Sequence, residues 1–227
     1  MAVAGRVCTG FSKPYVAVYT SGAQPTYSNK TVLARGVSVA FDIDEATDDN
    51  NFYADNIKAE SVAGSFGGGT VTLTVDGLFT AAEKLILGLP DAVDNWTNYG
   101  DSINTPYCGL GFVVRYMSEG VTSYVPVVLR KVKFAMPSLN AATQEEEIDW
   151  QTQELTASVM RDDSANHVWM QKGAAQETEA AAVSMIETAF TAVVNGGKKE
   201  EQNENRRQGI RLQADGRRIR ADCASMS

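Results

Sequence analysis

The feature that most constrains this chain is a stretch of alternation that runs into an acidic turn. Its apolar residues Leu33, Val37, Val39, Phe41 and Ile43 alternate with Ala34, Gly36, Ser38, Ala40, Asp42 and Asp44. A period of two places successive side chains on opposite sides of an extended backbone, so the stretch predicts a half-buried β-strand. Residues 47–51 (Thr-Asp-Asp-Asn-Asn) are typical of a turn. With the segment from Phe52 to about Val62, they predict a long hairpin with an acidic tip, a pattern that an ordinary surface hairpin also shows.

Further strands are predicted by alternation and by flanking turn residues. They cover residues 15–19, 70–76, 109–117, 121–135 and 144–160. Residues 1–13 are small and irregular and predict an arm, and the glycine run 67–69 predicts a flexible joint. No Gly-Lys-Ser or Gly-Lys-Thr follows these glycines, so they do not form the pattern of a phosphate-binding loop.

Two helices are predicted. The first begins with Thr80-Ala-Ala-Glu83, which has the spacing of a capping box, and ends at Gly88, where a left-handed cap belongs. The second covers residues 178–194, which carry a single apolar stripe. That stripe consists of Ala182, Val183, Ile186, Ala189, Phe190 and Val193. The expected fold class is therefore mainly β, a β-sandwich or open barrel with one short and one longer flanking α-helix.

Charge divides the chain into two parts. Residues 195–227 hold eight Lys and Arg against five Asp and Glu, whereas residues 1–194 hold 12 basic and 23 acidic residues. The expected organisation is a β-domain over 1–194 and a polar, basic extension over 195–227. An acidic body argues against a stable DNA-binding surface, because affinity for phosphates needs clustered Lys and Arg. It does not argue against a surface that DNA slides past.

The sequence offers little for catalysis or for metal binding. His167 is the single histidine, and the three cysteines, Cys8, Cys108 and Cys223, are widely spaced with no Cys-x-x-Cys. A zinc site or a disulfide framework is therefore not expected, and we expect neither enzymatic activity nor a cofactor. Carboxylates are abundant, so a glycosidase-like pair of catalytic carboxylates is an alternative. The simpler explanation is that these carboxylates are charges on strand faces and in loops. No apolar run approaches the ~20 residues that cross a bilayer, and no signal peptide is expected.

Several segments, in order, resemble the major tail proteins of long-tailed bacteriophages, the phi13-type tail tube family. The sharpest match is Phe-Tyr-Ala-Asp-Asn at 52–56, after the acidic turn. Residues 63–88, a glycine-rich segment, a strand and a short helix closing on Leu-Gly, are similar to the family's next elements. Residues 105–116, 125–137 and 142–158 resemble its later strands. The resemblance spans roughly residues 10 to 194, and 195–227 have no counterpart in it.

This resemblance implies a structural virion protein with a fold of the phage tail-tube type. Six copies would form a ring, and rings would stack into the hollow tail tube through which phage DNA is ejected. The implied partners are further copies of the chain and other tail proteins, such as the tape measure, tail terminator and distal tail proteins. DNA would pass transiently and non-specifically, with no membrane involved. The protein is expected in the host cytoplasm before assembly and in the virion tail afterwards.

Three groups of candidate site residues follow. The lumen-facing group is Ser38, Ala40, Asp42, Asp44, Glu147 and Asp149. The ring-stacking group is Asp48, Asp49, Asn50, Phe52, Tyr53, Asp55 and Asn56. The extension is expected to contact a neighbouring subunit through Arg206, Arg207, Ile210, Arg211, Leu212, Arg217 and Arg218, and a disordered surface tail is the alternative for it.

An alternative of a different class is a stand-alone β-sandwich binding module of a prophage or secreted system, for example one that binds carbohydrate. Such modules present aromatic side chains on an exposed platform. Trp96 and Tyr99, in the polar loop that follows the first helix, are the candidate platform.

Overall fold

The computed structural model describes residues 5–46, 51–54, 57–61, 65–101, 103–139, 141, 143 and 151–191. The fold is mainly β, with an eight-stranded antiparallel sheet, a separate two-stranded sheet and two helices. The short helix α1 covers Thr80–Leu87 and the longer helix α2 covers Glu179–Thr191. This confirms the predicted fold class. The basic extension 195–227 lies outside the described residues.

Ten strands are described. They are β1 (Val7–Thr20), β2 (Thr26–Val32), β3 (Gly36–Ala46), β4 (Asn51–Ala54), β5 (Ile57–Ser61), β6 (Ser65–Val75), β7 (Cys108–Ser118), β8 (Val121–Phe134), β9 (Gln153–Met160) and β10 (Met170–Lys172). The large sheet has the order β2-β1-β7-β8-β9-β6-β3, with the short β10 also paired to β8. Strands β4 and β5 pair with each other in the small sheet. Strands β2 and β3 therefore lie at the two edges of the large sheet.

The large sheet curls until its two ends approach each other. β3 lies against β1, and the Leu33 amide donates to the Pro14 carbonyl. Gly36, at the start of β3, makes room for the Phe11 ring, since a Cβ at this glycine would lie 2.0 Å from that ring. Phe11 in turn packs edge-on against Phe112. The result is an open barrel around an apolar interior.

Alternation along the central strands supplies two apolar clusters, one on each side of the sheet. In β7, Phe112 faces the interior while Val113 faces outward. In β8, Val127 faces the interior while Val128 faces outward. The inner cluster fills the curl and is capped by α1 through Ala82, Ile86 and Leu87. The outer cluster is covered by α2, whose buried residues are Ala182, Ile186 and Phe190. The described members of the predicted stripe therefore lie on the buried side of the helix, while Val193 lies outside the described residues.

Three sequence predictions about these segments are wrong. β3 pairs with β6 over almost its whole length, rather than with the segment from Phe52 to Val62, part of which forms β4 and β5. β6 is the better partner because Val71, Leu73 and Val75 extend the same apolar side into the core. Residues 67–69 accordingly lie within β6 and are not a joint. Residues 7–13 are likewise no arm, because they pair with β7 as the first half of β1.

Helix α1 ends as predicted but begins differently. Gly88 adopts the left-handed conformation with φ 67°, and its amide donates to the Lys84 carbonyl. Thr80, however, is the first helical residue, and the N-cap Phe79 makes no side-chain capping bond. The Glu83 carboxylate accepts instead from the Tyr99 hydroxyl. The capping box is therefore absent, and Glu83 ties the following loop to the helix.

We expect that Gly111→Ala destabilises the protein by about 1–3 kcal/mol, the usual cost of overpacking. Gly111 lies in β7 beneath α2, and a Cβ there would lie 2.4 Å from Ile186 Cγ2 and 3.2 Å from the Phe190 ring. Urea unfolding monitored by circular dichroism measures the loss. Gly100→Ala, where a Cβ meets nothing within 4 Å, is the control. Equal stability of the two variants would show that α2 is not held this closely.

Candidate functional site

One part of the outer side of the sheet has no helix over it. α2 covers β1, β7 and β8, whereas the outward side chains of β3, β6 and β9 are exposed or half-buried. We call these side chains the open face. They are Ser38, Ala40, Asp42, Asp44, Thr70, Thr72, Thr74, Glu154, Thr156 and Ser158.

The open face is built of cross-strand rows of short side chains. Asp42, Thr70 and Ser158 form one row, because β3 and β9 both pair with β6 in these registers. The acids on the face are Asp42, Asp44 and Glu154, and within the described residues none of them has an ion-pair partner. Lys133 in β8 continues the row beyond Ser158 and is the basic border of the face. The surface is shallow, hydroxyl-rich and mostly acidic.

The opposite side of β3 is apolar but incompletely covered. Val39 is half-buried against the core, whereas Phe41 is 38 % exposed and Ile43 is 40 % exposed. Phe41 pairs with the core residue Val71 of β6, and Ile43 pairs with Gly69, which has no side chain to cover it. Because β3 is also an edge strand, its outer backbone edge has no strand partner among the described residues. An exposed edge with apolar side chains is the kind of surface that pairs with another chain.

The structure brings together four of the six residues predicted to line a lumen. Ser38, Ala40, Asp42 and Asp44 share the open face, while Glu147 and Asp149 lie outside the described residues. Of the ring-stacking group, Phe52 and Tyr53 lie in β4. The other members, Asp48, Asp49, Asn50, Asp55 and Asn56, lie outside the described residues, as do all the predicted contact residues of the extension.

A buried charge pair lies where the sequence analysis proposed no site. Arg130 in β8 is 1 % exposed, and its Nε lies 3.3 Å from Oδ2 of the buried Asp162. Arg130 also donates to Gln171 and lies over the Tyr27 ring, while Asp162 accepts from Ser164. The signal in the sequence is an arginine directly after the apolar run at residues 125–129 of β8. A register shift in the β7–β8 ladder between Cys108 and Leu110, opposite Arg130, accompanies this placement.

A second, more exposed set of polar contacts lies beside this pair. Lys131 donates to both carboxylate oxygens of Asp163, and the Tyr19 hydroxyl donates to the same carboxylate. The Lys131 hydrogen bond is the main cause that lowers the pKa of Asp163, and burial raises the pKa of Tyr19 to about 12. Together the two sets attach the loop after β9 to the sheet.

The described residues contain no group of three or more His, Cys, Asp or Glu side chains placed to hold a metal ion. His167 lies in the same loop as Asp162, with Nδ1 3.3 Å from the Asp162 carbonyl oxygen. Neither described helix is both long enough and apolar enough to span a membrane. Trp96 and Tyr99, the candidate carbohydrate platform, are both exposed.

Comparison of the chain with models of known protein families and with characterised proteins finds no match.

We expect Asp162→Asn to destabilise the fold by about 3–5 kcal/mol, because it leaves the buried Arg130 without its compensating charge. Asp163→Asn is the matched control at the next position. Its carboxylate is partly exposed and pairs with Lys131, so its loss should cost only about 0–1 kcal/mol. Chemical denaturation of both variants gives the comparison. Similar losses for the two would show that Arg130 does not depend on Asp162.

Proposed function

We propose that this chain is a structural subunit that assembles with copies of itself into rings and a hollow tube, as the tail tube subunits of long-tailed bacteriophages do. The observation that carries the proposal is the two-sided character of β3. One side continues a small, acidic, uncovered sheet face, and the other exposes Phe41 and Ile43 at a free strand edge. The ordered resemblance of several segments to the tail tube family supports the same function.

Edge contacts between neighbouring copies account for both sides of β3. A copy placed against β3 covers Phe41 and Ile43 and supplies partners for the free backbone groups. The open faces of adjacent copies then join into one surface. Closure into a ring removes every free edge, so growth around the ring stops at a fixed number of copies. The tail tube family implies six.

The open face has the chemistry that a DNA channel requires. Duplex DNA carries one negative charge per ~1.7 Å of its axis, so clustered Lys and Arg would bind it and slow its passage. The face carries Asp42, Asp44 and Glu154, with Lys133 at its border. Threonine and serine side chains are short, so they leave the wall smooth. In the proposed tube this wall repels DNA and keeps it centred. The tape measure, tail terminator and distal tail proteins are the further partners.

A second function is favoured by one observation, the exposure of Trp96 and Tyr99. Aromatic rings exposed on one loop suit a carbohydrate-binding module, the alternative class. Such a module acts as a separate unit and needs no self-assembly. The two functions therefore differ in the oligomeric state of the purified full-length protein at high concentration.

We expect the purified full-length protein to form rings or tubes at high concentration, visible by negative-stain electron microscopy.

A labelling experiment tests whether the open face lines the lumen. Ala40→Cys, made in a variant that also carries Cys8→Ser and Cys223→Ser, places one thiol on the open face. In the unassembled protein this thiol should react with a small maleimide and with a polymer-linked one. In tubes only the small reagent should reach it.

These two experiments test the assembly function and the lumen assignment separately. Protein that remains monomeric at every concentration would reject the assembly function. Tubes in which the polymer-linked reagent labels position 40 as fast as in the monomer would reject the lumen assignment alone.

We expect deletion of residues 47–51, the predicted acidic turn whose last residue begins β4, to leave a folded protein that no longer stacks into tubes. The proposal places this segment and the motif at 52–56 at the contact between rings. Circular dichroism and thermal unfolding check the fold, and electron microscopy checks the assembly. Tubes of normal length from the deletion variant would contradict this placement of the ring-to-ring contact.

A further inference from the structure

Two cross-strand rows of the open face begin with an acid on β3 and end with a lysine on β8. The first row consists of Asp42, Thr70, Ser158 and Lys133. The second row lies two residues further along the strands, with Asp44 at its β3 end and Lys131 at its β8 end. The neighbouring row, which begins with the neutral Ala40, ends at Ala135. The charges at the two ends therefore match row by row.

The two lysines share one aromatic ring. The ammonium groups of Lys131 and Lys133 lie 4.8 and 5.5 Å from the centroid of the Tyr107 ring, which is 40 % exposed. Lys131 also pairs with Asp163, whereas Lys133 is exposed and forms no ion pair within the described residues. We call Tyr107, Lys131 and Lys133 the Tyr107 patch. It carries excess positive charge on a domain that is acidic as a whole.

The acids of β3 and the Tyr107 patch lie too far apart to pair within one copy. Two strands, β6 and β9, separate β3 from β8. Since neighbouring strands lie ~4.8 Å apart, the two ends of a row are separated by roughly 14 Å. Asp42 and Asp44 are exposed, on a strand whose outer edge has no strand partner among the described residues. A second copy of the chain carries the charges that each end lacks.

We propose that Asp42 and Asp44 of one copy pair with the Tyr107 patch of the next copy in a ring. Joined without a shift along the strands, each row continues into the same row of the next copy. Asp42 then meets Lys133, and Asp44 meets Lys131 beside Asp163. Lysine side chains are long enough to cross this contact, so β8, which is paired on both sides, need not offer a free edge. This inference rests on the proposed self-assembly and names its ring contact.

The charges select the register of the contact more than they strengthen it. Complementary charges exclude wrong arrangements, because like charges brought together across an interface are strongly unfavourable. Phe41 and Ile43, on the other side of β3, supply exposed apolar surface to the same contact. The pairing also neutralises Lys133, which would otherwise offer DNA phosphates a binding group in the channel. Glu154, in the middle strand of the face, keeps its negative charge exposed to the lumen.

Charge reversal in the full-length protein tests the pairing. Asp42→Lys and Lys133→Asp each place like charges across the contact. Each should therefore raise the protein concentration needed for assembly at least about tenfold, measured by analytical ultracentrifugation. The double variant restores opposite charges and should assemble near the wild-type concentration. Both residues are exposed, so all three variants should fold, which circular dichroism checks.

Two control variants change the net charge by the same amounts at other places. Glu154→Lys matches Asp42→Lys and lies in the middle of the open face. Lys172→Glu matches Lys133→Asp, and the Lys172 ammonium lies over the Tyr116 ring, away from the Tyr107 patch. Both controls should assemble like the wild type. Salt should weaken the assembly of the wild type, because it screens exposed charges.

The outcomes are distinguishable. Wild type that never assembles overturns the proposed function and this contact with it. If the wild type assembles and both single reversals assemble equally well, this contact alone is wrong. Single reversals that fail without rescue in the double variant also overturn the pairing of Asp42 with Lys133. Equal failure of the two controls would show that net charge, and not this contact, governs assembly.

Discussion

The close approach of α2 to β7 determines how the outer side of the sheet is used. Gly109 and Gly111 lie directly beneath the Phe190 and Ile186 side chains, where any Cβ would clash. The helix can therefore lie flat on β1, β7 and β8 and bury a second apolar cluster there. The rest of the outer side, over β3, β6 and β9, is left without a helix. The open face is the part of the outer side that α2 does not cover.

A sheet face without cover must be stable in water by its own composition. Threonine at 70, 72 and 74 is β-branched, which suits an extended backbone, and its hydroxyl group remains hydrated. Cross-strand neighbours such as Ser158 and Thr156 are of the same kind. The inner side of the same strands holds Val71, Leu73 and Val75, so strict alternation separates the two environments. The open face is stable without a partner, whereas the exposed apolar side of β3 is better covered by one.

Local pattern in the sequence predicted the elements better than their pairing. Alternation identified the central parts of β3 and β6. Gly120 identified the turn between β7 and β8, and the apolar stripe identified α2. These signals lie within a few residues of what they determine. The pairing of β3 with β6, and of residues 7–13 with β7, depends on contacts between distant segments, and alternation at one strand does not select its partner. The Arg130–Asp162 pair depends on several elements at once.

The open face was likewise predictable from local pattern only within a single strand. Four residues of one strand were correctly grouped, because alternation alone places Ser38, Ala40, Asp42 and Asp44 on one side. Their neighbours Thr70 and Ser158 could be added only once the register was known. A hollow tube needs one contact that closes and one that does not. In the proposed assembly the edge of β3 supplies the closing contact. The contact between rings, which the proposal places at residues 47–51 and the motif at 52–56, is the contact that does not close.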